Sequence, residues 1–155
     1  MIKTMNPNPM IFALSNPIPE IYPDEAFEAG AYIVATGRSD FKNQVNNSLA
    51  FPGIFRGILD AKAPKVTVEM KAAAAKAIAD IVSESDLNPN YIIPNALDSR
   101  VPIAVAKAVA KCAIDLKLAK RDIDPSLVED DMRNFLVEGN LRSLINQQVD
   151  EEYNT

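Results

Sequence analysis

The sequence predicts an α/β fold: the second half of a doubly wound parallel sheet, followed by a helical carboxyl-terminal region. Two short apolar runs, Met10 to Leu14 and Ala31 to Ala35, are each followed by a polar loop and a helical pattern. That order is the signature of buried parallel strands alternating with crossover helices. The second loop, Thr36 to Asn47, is rich in amides and falls where open α/β sheets place ligand contacts, beyond the carboxyl end of a strand. Two strands are too few for such a sheet to stand alone. The five glycines, Gly30, Gly37, Gly53, Gly57 and Gly139, do not form the Gly-x-Gly-x-x-Gly turn that would open a first half.

Each element follows from its residues. Met10 to Leu14 reads as a buried strand stopped by Ser15-Asn16-Pro17-Ile18-Pro19, because proline cannot donate to a sheet ladder. Pro23 to Ala29 is a short helix with proline and acids in its first turn, closed by Gly30. Ala31 to Ala35 is the second buried strand. Ser48 to Ala61 is helical, with Pro52 tolerated in the first turn and the N–H groups at Ser48 favourable to an anion. Thr67 to Ser83 is an Ala-rich helix with Glu69 and Lys71 at its start. Tyr91 to Pro94 is a short extended segment. A further helix begins at Asp98 to Pro102, capped by Asp98 or Ser99, with Ile103, Val105, Ala106, Val109, Ala110 and Ala113 on its inner face. Two helices, Pro125 to Leu136 and Leu141 to Val149, then a ragged end, complete the chain. We divide it into residues 1–120, a partial α/β domain, and 121–155, an acidic helical tail.

A chain of 155 residues is long enough for one domain with a hydrophobic core. Its net charge of −5 argues against nucleic acid or an anionic membrane surface as the main partner. No stretch is long and apolar enough to span a bilayer, and the start, Met1 to Pro7, lacks an apolar signal region. Cys112 is alone, so no intrachain disulfide forms and a cytoplasmic, reducing setting is the expectation. The chain has no histidine, which excludes a Ser-His-Asp triad and the commonest zinc ligand sets.

The candidate site residues are Asn16, Asn46 and Asn47. Each amide offers two donors and an acceptor without charge, a chemistry suited to a small polar substrate and a cofactor carboxamide. Each also has a bland reading. Asn16 before Pro17 suits an Asx turn, and Asn46-Asn47-Ser48 before a helix suits an N-cap. Arg38 and Asp40 read as a solvated pair. Phe51 and Phe55 look like core, with Gly53 and Gly57 permitting close packing. Cys112 reads as a small buried hydrophobe, and Glu129-Asp130-Asp131 as a solvated helix face.

In combination these blocks are more specific. Ile-Phe-Ala-Leu-Ser-Asn-Pro, Ala-Thr-Gly-Arg-Ser-Asp, Asn-Gln-Val-Asn-Asn and Phe-Pro-Gly-Ile-Phe-Arg-Gly, in this order, closely resemble the carboxyl-terminal part of the NAD(P)-binding domain of malic enzymes, in their small bacterial and archaeal-like form. The resemblance runs from about Met1 to Lys120 and carries no block past Val128. It implies a Rossmann-like fold and oxidation of malate by NAD or NADP. Decarboxylation to pyruvate and CO2 follows, with Mg2+ or Mn2+ as the metal. It places Asn16 against substrate and nicotinamide, and Asn46 and Asn47 at the active-site wall, with Asn46 also toward the cofactor. It further implies that the metal-binding acids, the acid–base Lys and Tyr and the pyrophosphate loop lie upstream of Met1. The chain is therefore expected to be inactive alone, to pair with the missing amino-terminal part or a second chain, and to form a homo-oligomer. The alternative is a non-catalytic binding or assembly module built on the same half-domain.

Overall fold

The computed structural model describes the backbone of residues 1–153 and the side chains of residues 1–139. After a 3-10 turn at Ile2–Thr4, strand β1 (Met10–Ala13) leads through a proline-rich loop to helix α1 (Pro23–Glu28) and strand β2 (Ile33–Thr36). The strands pair in parallel, Met10 opposite Ile33 and Ala13 opposite Thr36. Helix α1 starts with Pro23 in its first turn and the Glu25 carboxylate accepting the Tyr22 N–H at 3.4 Å. It ends at Gly30, whose φ of 102° lies where side chains are disfavoured. The expected second half of a doubly wound sheet is thus present as a β-α-β unit.

Coverage of the two strands differs. In β2, Val34, Ala35 and Thr36 are all buried. In β1, Met10 and Phe12 are 57% and 51% exposed, so this strand is not the fully buried one expected. The physical reason is that the described residues supply no layer over its outer face.

Four helices make the main core. Helix α2 (Phe51–Ala61), α3 (Val68–Ala79) and α5 (Pro125–Tyr153) surround α4 (Arg100–Asp115). The periodicity of α4 explains its central place. Val101, Val105, Val109 and Ala113 pack with Met70 and Ala74 of α3, while Ile103, Ala106 and Ala110 meet Val128 and Met132 of α5. The whole expected inner face is buried. Ser99 occupies the cap position of α4 without a side-chain bond, and Asp98 Oδ1 takes the Arg100 N–H at 2.9 Å. Thr67 caps α3 through its hydroxyl, which accepts the Met70 N–H at 3.3 Å.

Other expectations are corrected. Tyr91 to Pro94 forms no strand: Tyr91 folds back on Asn88 in a tight bridge. The two helices expected over 125–136 and 141–149 form one continuous helix, α5, because Gly139 costs only about 1 kcal/mol within a helix. The ragged end expected after Val149 is helical as far as Tyr153, and the last two residues lie outside the described ones. Phe51 and Phe55 are not core. They are 48% and 58% exposed and stack on each other at 5.9 Å between ring centroids. Helix α2 instead turns Gly53, Gly57 and Ala61 toward the core.

Those glycines set the α2–α4 distance. A Cβ at Gly53 would lie 2.6 Å from Val105 Cβ, and one at Gly57 would lie 2.6 Å from the Ala106 carbonyl oxygen. Gly53→Ala and Gly57→Ala are expected to destabilise by about 1–3 kcal/mol through overpacking, despite the helix propensity of alanine. Gly139→Ala, with nothing within 4 Å of its Cβ position, is expected to stabilise slightly. Urea unfolding of the three variants measures this, and equal shifts would refute the close-packing account.

Candidate functional site

Two loops leave the carboxyl ends of the paired strands, Leu14–Ile21 after β1 and Gly37–Asn46 after β2. Between them lies an open cleft of about 400 Å3, lined by Asn16, Pro17, Arg38, Asp40, Gln44 and Asn46 among others. Asn16 and Asn46, 30 positions apart in sequence, therefore line the same cleft, one from each loop. Asn16 is exposed and, among the described residues, its amide makes no hydrogen bond. Asn46 sits at the cap of a 3-10 turn, Asn47–Leu49, and its Oδ1 accepts the Ser48 N–H at 3.0 Å. The capping reading of Asn46 is correct for its oxygen, and its Nδ2 has no partner among the described residues. The Ser48 N–H expected to serve an anion is taken up by this cap. Asn47 is exposed in the first position of the turn and lies outside the cleft lining.

The charged groups around the cleft are already paired. Arg38 donates from Nε and Nη2 to the two oxygens of Asp40, at 2.8 and 2.7 Å. Its Nη1 donates to the Pro17 carbonyl at 2.9 Å, and its guanidinium lies 5.4 Å from the centre of the Phe41 ring. Hydrogen bonding from Arg38 holds the Asp40 carboxyl below its ordinary pKa. Beside Asn16 in the chain, the Ser15 hydroxyl and N–H donate to Glu20 at 2.7 and 3.1 Å, and the hydroxyl bond lowers the Glu20 pKa. Both carboxylates remain ionised below the usual carboxylate range. An anion in this cleft meets neutral amides and an internally compensated ion pair.

Asn43 is the residue that sequence reasoning passed over. It is buried, with φ of 54°. Its Nδ2 donates to the carbonyls of Val34 at 3.1 Å and Pro89 at 2.9 Å, and its Oδ1 accepts the Ile92 N–H at 3.0 Å. One amide thus ties β2, the cleft loop and the segment leading into α4. Its positive φ lies in a region that asparagine tolerates better than most residues. Among the described residues, no three acids or cysteines converge as a metal-binding group.

Two other readings are corrected: Cys112 is only partly buried, and the acidic run at 129–131 is not merely solvated, because two of its members pair with bases on α2 and α4. Cys112 is partly buried beside the α2–α3–α4 core, and burial pushes its thiol pKa up. Glu129 pairs with Lys107 and Arg133, and Asp131 with Arg56.

The family model described as malic enzyme, NAD binding domain, matches residues 1–114. The chain belongs to the malic enzyme family. It is 58% identical over 120 residues to the bifunctional malic/malolactic enzyme of Bacillus subtilis, a match covering 77% of this chain and 29% of that protein. It is 50% identical to the NAD-dependent malic enzyme of Geobacillus stearothermophilus, over 77% of this chain and 25% of that protein. It is 44% identical to the NADP-dependent malic enzyme of Rhizobium meliloti, over 77% of this chain and 18% of that protein. The structure superposes on the malic enzyme of Pyrococcus horikoshii with a TM-score of 0.88 at 45% identity, covering 95% of this chain and 34% of that one. That likeness extends past Lys120 into α5. This malic enzyme chain thus spans about a third or less of the length of these relatives. Its fold is part of the Rossmann-like NAD(P)-binding domain of the family, as the four sequence blocks implied.

The three bonds of Asn43 make it the strut of the site. Asn43→Ala is expected to cost about 3–4 kcal/mol, from three lost hydrogen bonds of about 1 kcal/mol each and an unfavourable φ for alanine. Asn43→Gly relieves the backbone cost and should recover part of that loss. Chemical denaturation of both variants checks the order.

Proposed function

We propose that this chain forms part of a malic enzyme that oxidises malate with NAD or NADP and releases pyruvate and CO2, in the cytoplasm. Within it, Asn16, Asn46 and Asn47 supply substrate contacts, and Asn16 and Asn46 also meet the nicotinamide carboxamide. The observation that carries this reading is the pairing of Asn16 and Asn46 in one cleft at the carboxyl ends of parallel strands, each with amide groups unused by the fold.

The residues present fit a nicotinamide and a small dicarboxylate. When bound, NAD(P) accepts the hydride from the hydroxyl carbon of malate. The work of this chain is orientation. Neutral amides hydrogen-bond a carboxylate or carboxamide directionally and hold the hydroxyl carbon against the ring, and orientation supplies a large share of such rate enhancement. Asn46 is suited to this because the cap fixes its oxygen and leaves its nitrogen for the ligand. The residues described do not fit a divalent cation by themselves. We assign Mg2+ or Mn2+, the acid–base groups and the pyrophosphate loop to the upstream portion that the longer relatives carry. Residues 1–120 would be the nucleotide-domain part, and 121–155 an acidic helical extension that braces it through Val128 and Met132.

Two outcomes are expected. The chain alone should not reduce NAD(P) with malate and Mn2+, whereas the chain continued into the upstream portion should. In that active form, alanine at Asn16 or Asn46 should lower kcat/KM by roughly tenfold to a thousandfold with little change in melting temperature. For Asn47, outside the cleft lining, the fall should be smaller. Unchanged kinetics with a lower melting temperature for Asn16 and Asn46 would reduce both to turn formers.

The open side of β1 generates a second expectation. Phe12 and Ile11 line an apolar groove of about 720 Å3 with Met1, Ile2, Met5 and Ile21. We propose that the upstream portion covers it. Alone, the chain should self-associate and bind a hydrophobic dye, and joining the upstream portion should abolish the dye signal while leaving a defined homo-oligomer in sedimentation. A dye-silent monomer of the isolated chain would contradict this.

A further inference from the structure

We infer that Arg38 is the positioning residue of the cleft: its guanidinium fixes the carbonyl that follows Asn16 and so sets where the Asn16 amide stands relative to Asn46. The inference rests on the proposed role of Asn16 as a ligand contact. Asn16 itself has no hydrogen bond among the described residues, so its neighbours determine its place. Ser15 is held by Glu20, at 2.7 Å from its hydroxyl and 3.1 Å from its N–H. Pro17 is held by Arg38 at 2.9 Å, from 21 residues away. The exposed amide therefore stands between two tied residues on an otherwise open loop.

Arg38 is able to act as a fixed post because its backbone N–H, three guanidinium N–H groups and one face of the guanidinium all have partners. Its backbone N–H donates to the hydroxyl of Thr36 at 3.2 Å, and Thr36 is fully buried at the end of β2. Asp40 takes two guanidinium N–H groups in fork geometry, and the Phe41 ring limits the plane. The line of force runs from the buried strand through Thr36, Arg38 and Pro17 to Asn16. A planar fork serves this; a lysine ammonium, a point charge on a flexible stem, cannot hold Asp40 at two points while aiming a third donor at Pro17. Because Asp40 neutralises the guanidinium, Arg38 is set to orient rather than to attract the substrate.

The test uses Arg38→Lys, Asp40→Asn and the double variant in the active form of the enzyme, with malate, NAD(P) and Mn2+. A positioning role predicts that Arg38→Lys lowers kcat on the order of tenfold or more while KM changes far less. The double variant should be no worse than Arg38→Lys alone, because both changes break one unit. Hydrogen exchange of the segment Leu14 to Ile21 should rise in Arg38→Lys, while that of Asn46 to Ala50 stays unchanged. A kcat within twofold of wild type, or exchange at Leu14 to Ile21 unaltered, overturns the inference. A rise in KM with kcat preserved also overturns it, since that would make Arg38 a direct substrate contact. Absence of malate oxidation by the unsubstituted protein would instead count against the proposed function, and the exchange measurement would still decide whether Arg38 holds the loop.

Discussion

The close approach of α2 to α4 is the constraint on which the rest of the molecule hangs. Gly53 and Gly57 let the two backbones meet where any side chain would collide with Val105, Val109 or the Ala106 carbonyl. Once α2 is seated, the 3-10 turn before it is seated too, and with it the cap made by Asn46. The other end of the loop is fixed through Asn43, whose amide joins β2 to the strand of chain that leads into α4. The cleft wall is therefore braced from two sides by one central helix. A shift of α4 would reach Asn46 through α2 and Asn43 through the segment around Pro89 and Ile92.

Much of this fold was legible because it is local. The inner face of α4 was readable residue by residue, since apolar side chains recurring at helical spacing leave few other placements. The cap at Asn46 and the acceptance of the Arg100 N–H by Asp98 Oδ1 were legible from the preference of asparagine and aspartate for helix starts, whereas the Thr67 cap was not read from the sequence. Phe51 and Phe55 show where that logic fails. Both are large and apolar, and nothing in the two residues themselves says that they lie opposite the buried face. The sign was in their neighbours: Gly53, Gly57 and Ala61 recur every four residues and claim the contact side, which turns 51, 55 and 59 outward. Small residues at helical spacing were a stronger indicator of the packed face than the aromatics beside them.

The site was legible in part. The location of the cleft at the carboxyl edge of two strands follows from the order of apolar runs and polar loops; of the amides singled out by the family blocks, Asn16 and Asn46 line it and Asn47 does not. What did not show was which amide does what. Asn43, Asn46 and Asn47 are chemically alike, and only burial and backbone conformation separate a strut, a cap and an exposed turn residue. The Arg38–Asp40 pair was visible from its spacing. Its bond to Pro17 was not, because that contact depends on the parallel pairing of β1 with β2, which brings the two loops side by side.

The chemistry of the cleft also bears on how labour is divided within a malic enzyme. Ionised groups facing a dianionic substrate bind it strongly before reaction, and much of that binding is uniform between ground and transition states. Neutral amides bind less tightly but impose direction, and direction is what hydride transfer requires. In this chain the arginine lining the cleft is neutralised by Asp40 and gives a third donor to the Pro17 carbonyl. The arrangement compensates the guanidinium charge and ties the two cleft loops together. On the function proposed above, attraction of a dianionic substrate is assigned to groups outside this chain, and the amides of the cleft supply direction alone.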